Sequence, residues 1–301
     1  MDWLRLARPK QWSKNLLLFA GLLFSGSYRD IPALVRAGDF RGAFLAPARA
    51  LLGCLAFILL SASVYALNDR RDLEEDRLHP VKRGRPVAAG LVSPNEAALL
   101  ALLWALLGLC LGACLGLPFF LLALAYLALS TLYSLWTKHQ VILDVLSLAA
   151  GFVLRAAAGA AAVSVEISAW LLLCSTLLAL FLGFVKRRSE LVGLAPGSRA
   201  ARVTLAHYSL PLLDQMIAVV ASATLVAYSL YAFSAHPDMR GPWMMLTIPF
   251  VLYGILRYLY LAHQKGLGAA PEKVLLGDRP LQIDLALWVL CSAAIVALAR
   301  P

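Results

Sequence analysis

The sequence predicts an all-α protein that crosses a membrane about nine times, and three observations carry that expectation. Of its 301 residues 61% are hydrophobic and only 15% charged, where a soluble domain carries roughly 25% charge. The apolar residues are gathered into runs long enough to cross a bilayer. The charged residues are concentrated between those runs. Lipid offers no partner to an unpaired backbone group, so each run is read as a helix.

In chain order the expected spans are roughly 14–28, 45–67, 96–116, 118–136, 141–163, 168–186, 211–234, 242–263 and 281–299. Turn residues mark the junctions: Pro118, Pro211, Gly241-Pro242 and Pro280. Residues 1–301 read as a single integral membrane domain with charged loops at about 68–95, 137–144 and 186–210. If the amino terminus is cytoplasmic, nineteen of the 27 lysines and arginines fall on the inner side and six on the outer side. That asymmetry favours a cytoplasmic amino terminus, with the three charged loops on the same face of the plasma (inner) membrane. The first apolar run follows Arg5, Arg8, Lys10 and Lys14 and has no clear small-residue cleavage site, so a cleaved signal peptide is not expected.

The net charge of +10 is not gathered on a soluble module, so it points to topology and an anionic substrate or headgroup rather than to nucleic acid. The five cysteines (Cys54, Cys110, Cys114, Cys174 and Cys291) lie inside apolar runs without metal-type spacing to histidine. They read as small buried hydrophobes.

The most informative stretch is YALNDRRDLEEDRLHPVKRGRP, Tyr65 to Pro86. It sets five acids (Asp69, Asp72, Glu74, Glu75, Asp76) among six bases (Arg70, Arg71, Arg77, Lys82, Arg83, Arg85). A charged loop between spans is ordinarily a solvated positive-inside loop. Here, if the preceding helix continues, Asn68, Asp72 and Asp76 fall at i, i+4 and i+8 and share one face. Stacked carboxylates repel, and Mg2+ suits them because it takes oxygen ligands and is usually held by one or two carboxylates together with substrate phosphates. The basic run that follows would grip phosphate oxygens.

The pattern N-D-x-x-D-x-x-x-D, filled by Asn68, Asp69, Asp72 and Asp76, resembles the first signature of the UbiA superfamily of intramembrane prenyltransferases. The continuation H-P-x-K-R-x-R-P, His79 to Pro86, strengthens the resemblance. The amino-terminal Arg8-Pro9-Lys10-Gln11-Trp12-Ser13-Lys14-Asn15 reads physically as an interfacial anchor with Trp3 and Trp12. It also resembles the start of that superfamily, which makes Lys14 and Asn15 candidate ligands.

A second cluster runs from Tyr133 to Asp144 and includes Lys138 and His139. Arg155 lies eleven residues beyond Asp144, three turns or about 16 Å along the same helix, too far for a direct pair. Intramembrane ionisable residues usually face a bundle interior or a wet cavity, so Asp144 and Arg155 are functional candidates. Many superfamily members carry a second DxxxD here, but the residue four past Asp144 is Leu148. A third cluster, Phe184 to Leu191, offers Lys186, Arg187 and Arg188 with Glu190 as a second phosphate grip; His207 and Tyr208 sit nearby, and the lone histidine reads as incidental.

The stretches Pro249 to Trp288, GFVLRAAAG from Gly151 to Gly159, and KRRSEL resemble one branch of the superfamily, the decaprenyl-phosphate phosphoribosyltransferases. That resemblance implies transfer of 5-phosphoribose from phosphoribosyl pyrophosphate to a polyprenyl phosphate. The product would be a precursor for cell-envelope polysaccharide. It further implies Asp72, Asp76, Asn68, Asp69 and Asp144 as catalytic, with Asn68, Asp72 and Asp76 on Mg2+. Lys14, Arg71, Lys82, Arg83, Arg85, Tyr133, Lys138, Arg155, Lys186, Arg187 and Glu190 would contact substrate. Two rivals stand beside it: an ordinary prenyltransferase using a prenyl diphosphate, and a transporter, which would place its charges nearer the midplane than at one face. Gly151 and Gly159 would let helices approach closely, either within the chain or across a homo-oligomer contact.

Overall fold

The computed structural model describes residues 2–25, 31–78, 82–166, 168–193, 203–234 and 243–298. Its α-helices in order are α1 (Asp2–Leu6), α2 (Phe19–Ser25), α3 (Ile31–Arg36), α4 (Phe40–Arg71), α5 (Leu73–Leu78), α6 (Pro94–Leu115), α7 (Leu117–Leu135), α8 (Leu143–Ala162), α9 (Ala169–Val192), α10 (Leu210–Ser234), α11 (Ile248–Gln264), α12 (Pro271–Gly277) and α13 (Arg279–Leu298). Eight helical stretches among the described residues are long and apolar enough to cross a membrane, the seventh being α11 with the 3-10 turn Trp243–Thr247 before it. The chain is an all-α polytopic membrane protein.

The first expected span, 14–28, is the exception. Residues Pro9–Leu18 form a 3-10 helix and α2 continues it as an α-helix, so no single long α-helix covers the described part of 14–28, residues 14–25. At the rise of each helix type the two pieces laid end to end reach about 30 Å, still a bilayer's apolar thickness. So long a 3-10 run is unusual, and its end makes a close tertiary contact. A Cβ on Gly21 would lie 2.7 Å from the Ala160 backbone nitrogen, and one on Gly159 would overlap the Leu18 carbonyl. The segment is pressed backbone-to-backbone on α8, and Gly159 therefore serves packing within the chain.

Helix ends follow local chemistry. Asp39 caps α4 by accepting the Gly42 N–H at 2.9 Å. Ser93 and Glu96 form a reciprocal capping box on α6, with Pro94 in its first turn. Gly116, at φ 112, separates α6 from α7. Pro118, Pro211 and Pro280 lie in the first turns of α7, α10 and α13, where a missing N–H is harmless; Gly241-Pro242 lies outside the described residues. Arg49 of α4 donates to the Ala162 carbonyl at 2.6 Å and the Leu115 carbonyl at 2.8 Å, tying down the carbonyl ends of α8 and α6.

The chain divides into two compact units, one of Met1–Leu22, Asp30–Leu135 and Leu154–Glu166, the other of Leu23–Arg29, Trp136–Val153 and Ile167–Pro301. In the first, Phe57 meets Phe119 edge-on with centroids 5.7 Å apart, and Leu18, Leu60, Ala123 and Ala158 close the core around them. In the second, Val145, Phe181, Phe184, Val185, Leu213, Ile217, Tyr258 and Leu261 form the core. The cysteine expectation needs correction: Cys54 is buried, but Cys110 and Cys114 are exposed on the outside of α6, and Cys174 and Cys291 are half-exposed. Lipid tails are as apolar as a core, so a membrane helix is free to turn such residues outward.

Candidate functional site

In the first unit, α4 runs straight into the charged stretch. Asp72 is its C-cap, at φ −88 and ψ 16, and α5 resumes one residue later. The Asp72 N–H donates to the Asn68 carbonyl at 2.9 Å and the Asp76 N–H to the Asp72 carbonyl at 2.8 Å. The one-turn spacing of Asn68, Asp72 and Asp76 thus persists through the junction.

Around this turn the acids are met by bases from elsewhere in the sequence. Asp69 and Asp76 are each 1% exposed. Arg85 bridges them, its Nη1 lying 2.5 Å from Asp76 Oδ2 and 3.2 Å from Asp69 Oδ1. Arg8 also binds Asp69 Oδ1 and lies 4.8 Å over the Tyr65 ring. Arg8 takes a left-handed backbone conformation, φ 51, uncommon for a residue with a side chain; its hold on Asp69 and Tyr65 accounts for that placement. Asp69 Oδ2 is buried with no hydrogen-bond partner among the described residues.

Among the described residues no three His, Cys, Asp or Glu side chains form a closed metal cage. The oxygens at hand are the Asn68 amide, the Asp72 and Asp76 carboxylates and the buried, unsatisfied Asp69 Oδ2. Asp76 Oδ2 and Asp69 Oδ1 are held by arginines; the rest are hard donors of the kind Mg2+ takes when waters and substrate phosphates complete its shell.

Of the expected phosphate-binding bases, Arg85 is bound at this turn. Lys82 and Arg83 sit in the 3-10 turn Lys82–Gly84, Lys82 half-buried and Arg83 exposed. Residues His79 to Val81 of the motif lie outside the described residues. Arg71 donates to the Ser134 carbonyl at 2.8 Å, anchoring the end of α7 one residue past half-buried Tyr133. Lys14 hydrogen-bonds Gln11 Oε1 at 3.2 Å. Deeper in the bundle, Arg155 is 5% exposed. It donates from Nε to Asn15 Oδ1 at 2.9 Å and from Nη2 to the Tyr126 hydroxyl at 2.8 Å and Ser61 Oγ at 3.4 Å.

The second unit holds the other two clusters. Asp144 has no exposure and Arg187 is 1% exposed. Arg187 Nε donates to Asp144 Oδ2 at 2.6 Å and Nη1 to Glu190 Oε2 at 2.7 Å. Asp144 and Arg155 thus have separate partners, as the three-turn separation requires. Sequence reasoning missed Tyr208, which is buried; its hydroxyl accepts the Ile142 N–H at 2.7 Å and donates to Asp144 Oδ1 at 3.3 Å. Burial pushes the Tyr208 hydroxyl up to about 12, so it stays a neutral donor. Ile142, at φ 67, is a β-branched residue in left-handed backbone, held there by that bond. Lys138 and Lys186 are half-buried, and His207 is exposed. Arg188 pairs with Asp214 at 2.5 Å. Arg8 stood in the amino-terminal run but its partner could not be read, and Tyr208 carried no local signal, since each acts on a residue more than sixty positions away.

Comparison with known proteins places the chain in a family. The UbiA prenyltransferase family model matches residues 38–276. The decaprenyl-phosphate phosphoribosyltransferase of Mycolicibacterium smegmatis is 34% identical, over 95% of this chain and 89% of its own. The protein of the same name from Corynebacterium glutamicum is 32% identical, over 96% of this chain and 84% of its own. Among solved structures, a UbiA homologue from Archaeoglobus fulgidus bound to GPP and Mg2+ superposes with a TM-score of 0.73 at 21% identity, over 99% of this chain and 100% of that one. A signature on the α4–α5 turn, an all-helical membrane bundle and a family match across most of the chain coincide: the chain belongs to the UbiA prenyltransferase family.

Proposed function

We propose that this protein transfers 5-phosphoribose from phosphoribosyl pyrophosphate to a polyprenyl phosphate, at the cytoplasmic face of the plasma membrane. The observation that carries the reading is similarity along nearly the whole chain to relatives bearing the name decaprenyl-phosphate phosphoribosyltransferase. In the reaction an oxygen of the acceptor phosphate forms a bond to the anomeric carbon. The bond from that carbon to the diphosphate oxygen breaks, and pyrophosphate leaves with the electron pair. The acceptor phosphate is already anionic at neutral pH, so no strong general base is needed, which suits a site without a buried histidine among the described residues.

Asn68, Asp72 and Asp76, with Asp69, are the residues that would hold Mg2+. When bound, the ion neutralises charge growing on the leaving diphosphate. Lys82, Arg83 and Arg85 supply charge-assisted donors to the same group. The buried Asp144–Arg187 pair is assigned to holding the ends of α8 and α9 in place. The inward orientation of the charged loops rests on the distribution of lysine and arginine.

A paired assay on purified protein with magnesium tests the reading. One reaction holds labelled phosphoribosyl pyrophosphate with decaprenyl phosphate, the other a prenyl diphosphate with aromatic acceptors. Label entering the lipid phase only in the first is the expected result. Product only in the second overturns the reading in favour of ordinary prenyl transfer.

A further inference from the structure

Resting on that reading, we infer that Arg155 is the specificity residue that receives the 5-phosphate of the donor, at the opposite end of the substrate from the diphosphate. The inference starts from a line of polar groups inside the first unit. On α4, Ser61, Tyr65 and Asp69 follow one another at intervals of four residues and lie on one side of the helix. The amino-terminal segment runs alongside in the opposite direction. Arg8 meets Tyr65 and Asp69, and Asn15 meets the guanidinium that also reaches Ser61. Eight residues of α-helix from Ser61 to Asp69 advance about 12 Å, and seven residues of 3-10 helix from Arg8 to Asn15 advance about 14 Å, so the two contacts keep register. One end of the line is the aspartate turn. The other is Arg155, inside the membrane-spanning part of the bundle.

An ionisable side chain at that depth is costly and marks a ligand path more often than a structural need. Its described hydrogen bonds go to an amide and two hydroxyls, and it lies 4.7 Å from the centre of the Tyr126 ring. The Ser61 and Tyr126 hydroxyls, 3.2 Å from each other, can rotate to donate to a phosphate as readily as they accept from the guanidinium. A prenyl diphosphate has hydrocarbon at its far end and gains nothing from such a group. A pentose carrying diphosphate at carbon 1 and phosphate at carbon 5 has a charge for each end of the line. Arg155 would therefore decide between the two donor classes that share the aspartate turn.

Inhibition of the reaction by ribose 5-phosphate and by pyrophosphate, in the wild type and in Arg155→Met, tests this. Ribose 5-phosphate carries the distal phosphate alone, and pyrophosphate carries only the leaving group. Loss of a charge-assisted contact should weaken ribose 5-phosphate by about 10- to 100-fold, with pyrophosphate changed less than about threefold. Arg155→Lys should restore much of the ribose 5-phosphate affinity. Equal weakening of both inhibitors, or none of either, would overturn the inference and make Arg155 a packing residue. A variant too unstable to purify is replaced by Tyr126→Phe, for which the same ratio must shift in the same direction. If the wild type does not use phosphoribosyl pyrophosphate at all, the underlying reading fails instead, and the two failures are told apart in the first tube.

Discussion

Replacing Arg187 by methionine separates a phosphate ligand from an internal counter-ion. The guanidinium is 1% exposed and lies 2.6 Å from a carboxylate oxygen of Asp144, which has no exposure at all. Methionine fills much of the volume but leaves Asp144 as a buried charge, with Tyr208 as its other described donor. Two opposite charges about 4 Å apart at an effective dielectric of 20 attract by about 4 kcal/mol. Breaking buried pairs from one side costs about 3–5 kcal/mol. Replacing both partners, Asp144→Asn with Arg187→Met, removes the stranded charge and should recover most of that loss. The assay is unfolding in detergent micelles of wild type, both single variants and the double variant, followed by tryptophan fluorescence, with donor inhibition constants measured on whatever remains folded. The pair reading requires a strongly destabilised single variant and a coupling of at least about 2 kcal/mol in the cycle. Arg187→Met with stability within about 0.5 kcal/mol of wild type and weakened donor binding would refute it. Arg187 would then be a phosphate ligand, as the sequence alone suggested.

Three further outcomes follow from the geometry. Asp72→Asn keeps the size and the helix cap of Asp72 but removes a cation ligand, so turnover should fall at least about 100-fold while the protein still elutes as a folded species in size-exclusion chromatography; undiminished magnesium-dependent activity would remove the assignment. Gly159→Ala drives a methyl group into the Leu18 carbonyl, whereas Gly84→Ala meets nothing within 4 Å, so only the first should lower the yield of folded protein on expression. Arg257 holds the Asp278 carboxyl below its usual range through hydrogen bonds of 2.8 and 3.2 Å. A depressed folded-state pKa gives stability that is present above about pH 4 and lost as pH falls through the lower folded value. Asp278→Asn should therefore flatten acid unfolding curves below about pH 4, and an unchanged acid slope would contradict the pair.

What could be read along the chain is what depends on local spacing. Eight of the nine apolar runs became spanning helices, and the register of Asn68, Asp72 and Asp76 carried through the α4–α5 junction because four residues make about one turn whatever surrounds them. The same arithmetic correctly separated Asp144 from Arg155. What could not be read is which acid meets which base. Arg8 reaches Asp69 across 61 residues and Arg187 reaches Asp144 across 43, and no periodicity encodes that choice. The seating of Leu18 against Gly159, far along the chain, is likewise a tertiary choice. Apolar residues added little beyond the spans, since lipid and core reward them alike, and so Cys110 and Cys114 face outward unannounced. In such a chain the informative residues are the polar ones that should not be there. Asn15, Ser61, Tyr126 and Arg155 are four of these, dispersed over 140 positions and gathered at one point of one unit. A helix bundle gains no hydrophobic energy from gathering them; there they satisfy one another's hydrogen bonds, which lipid would leave unmade.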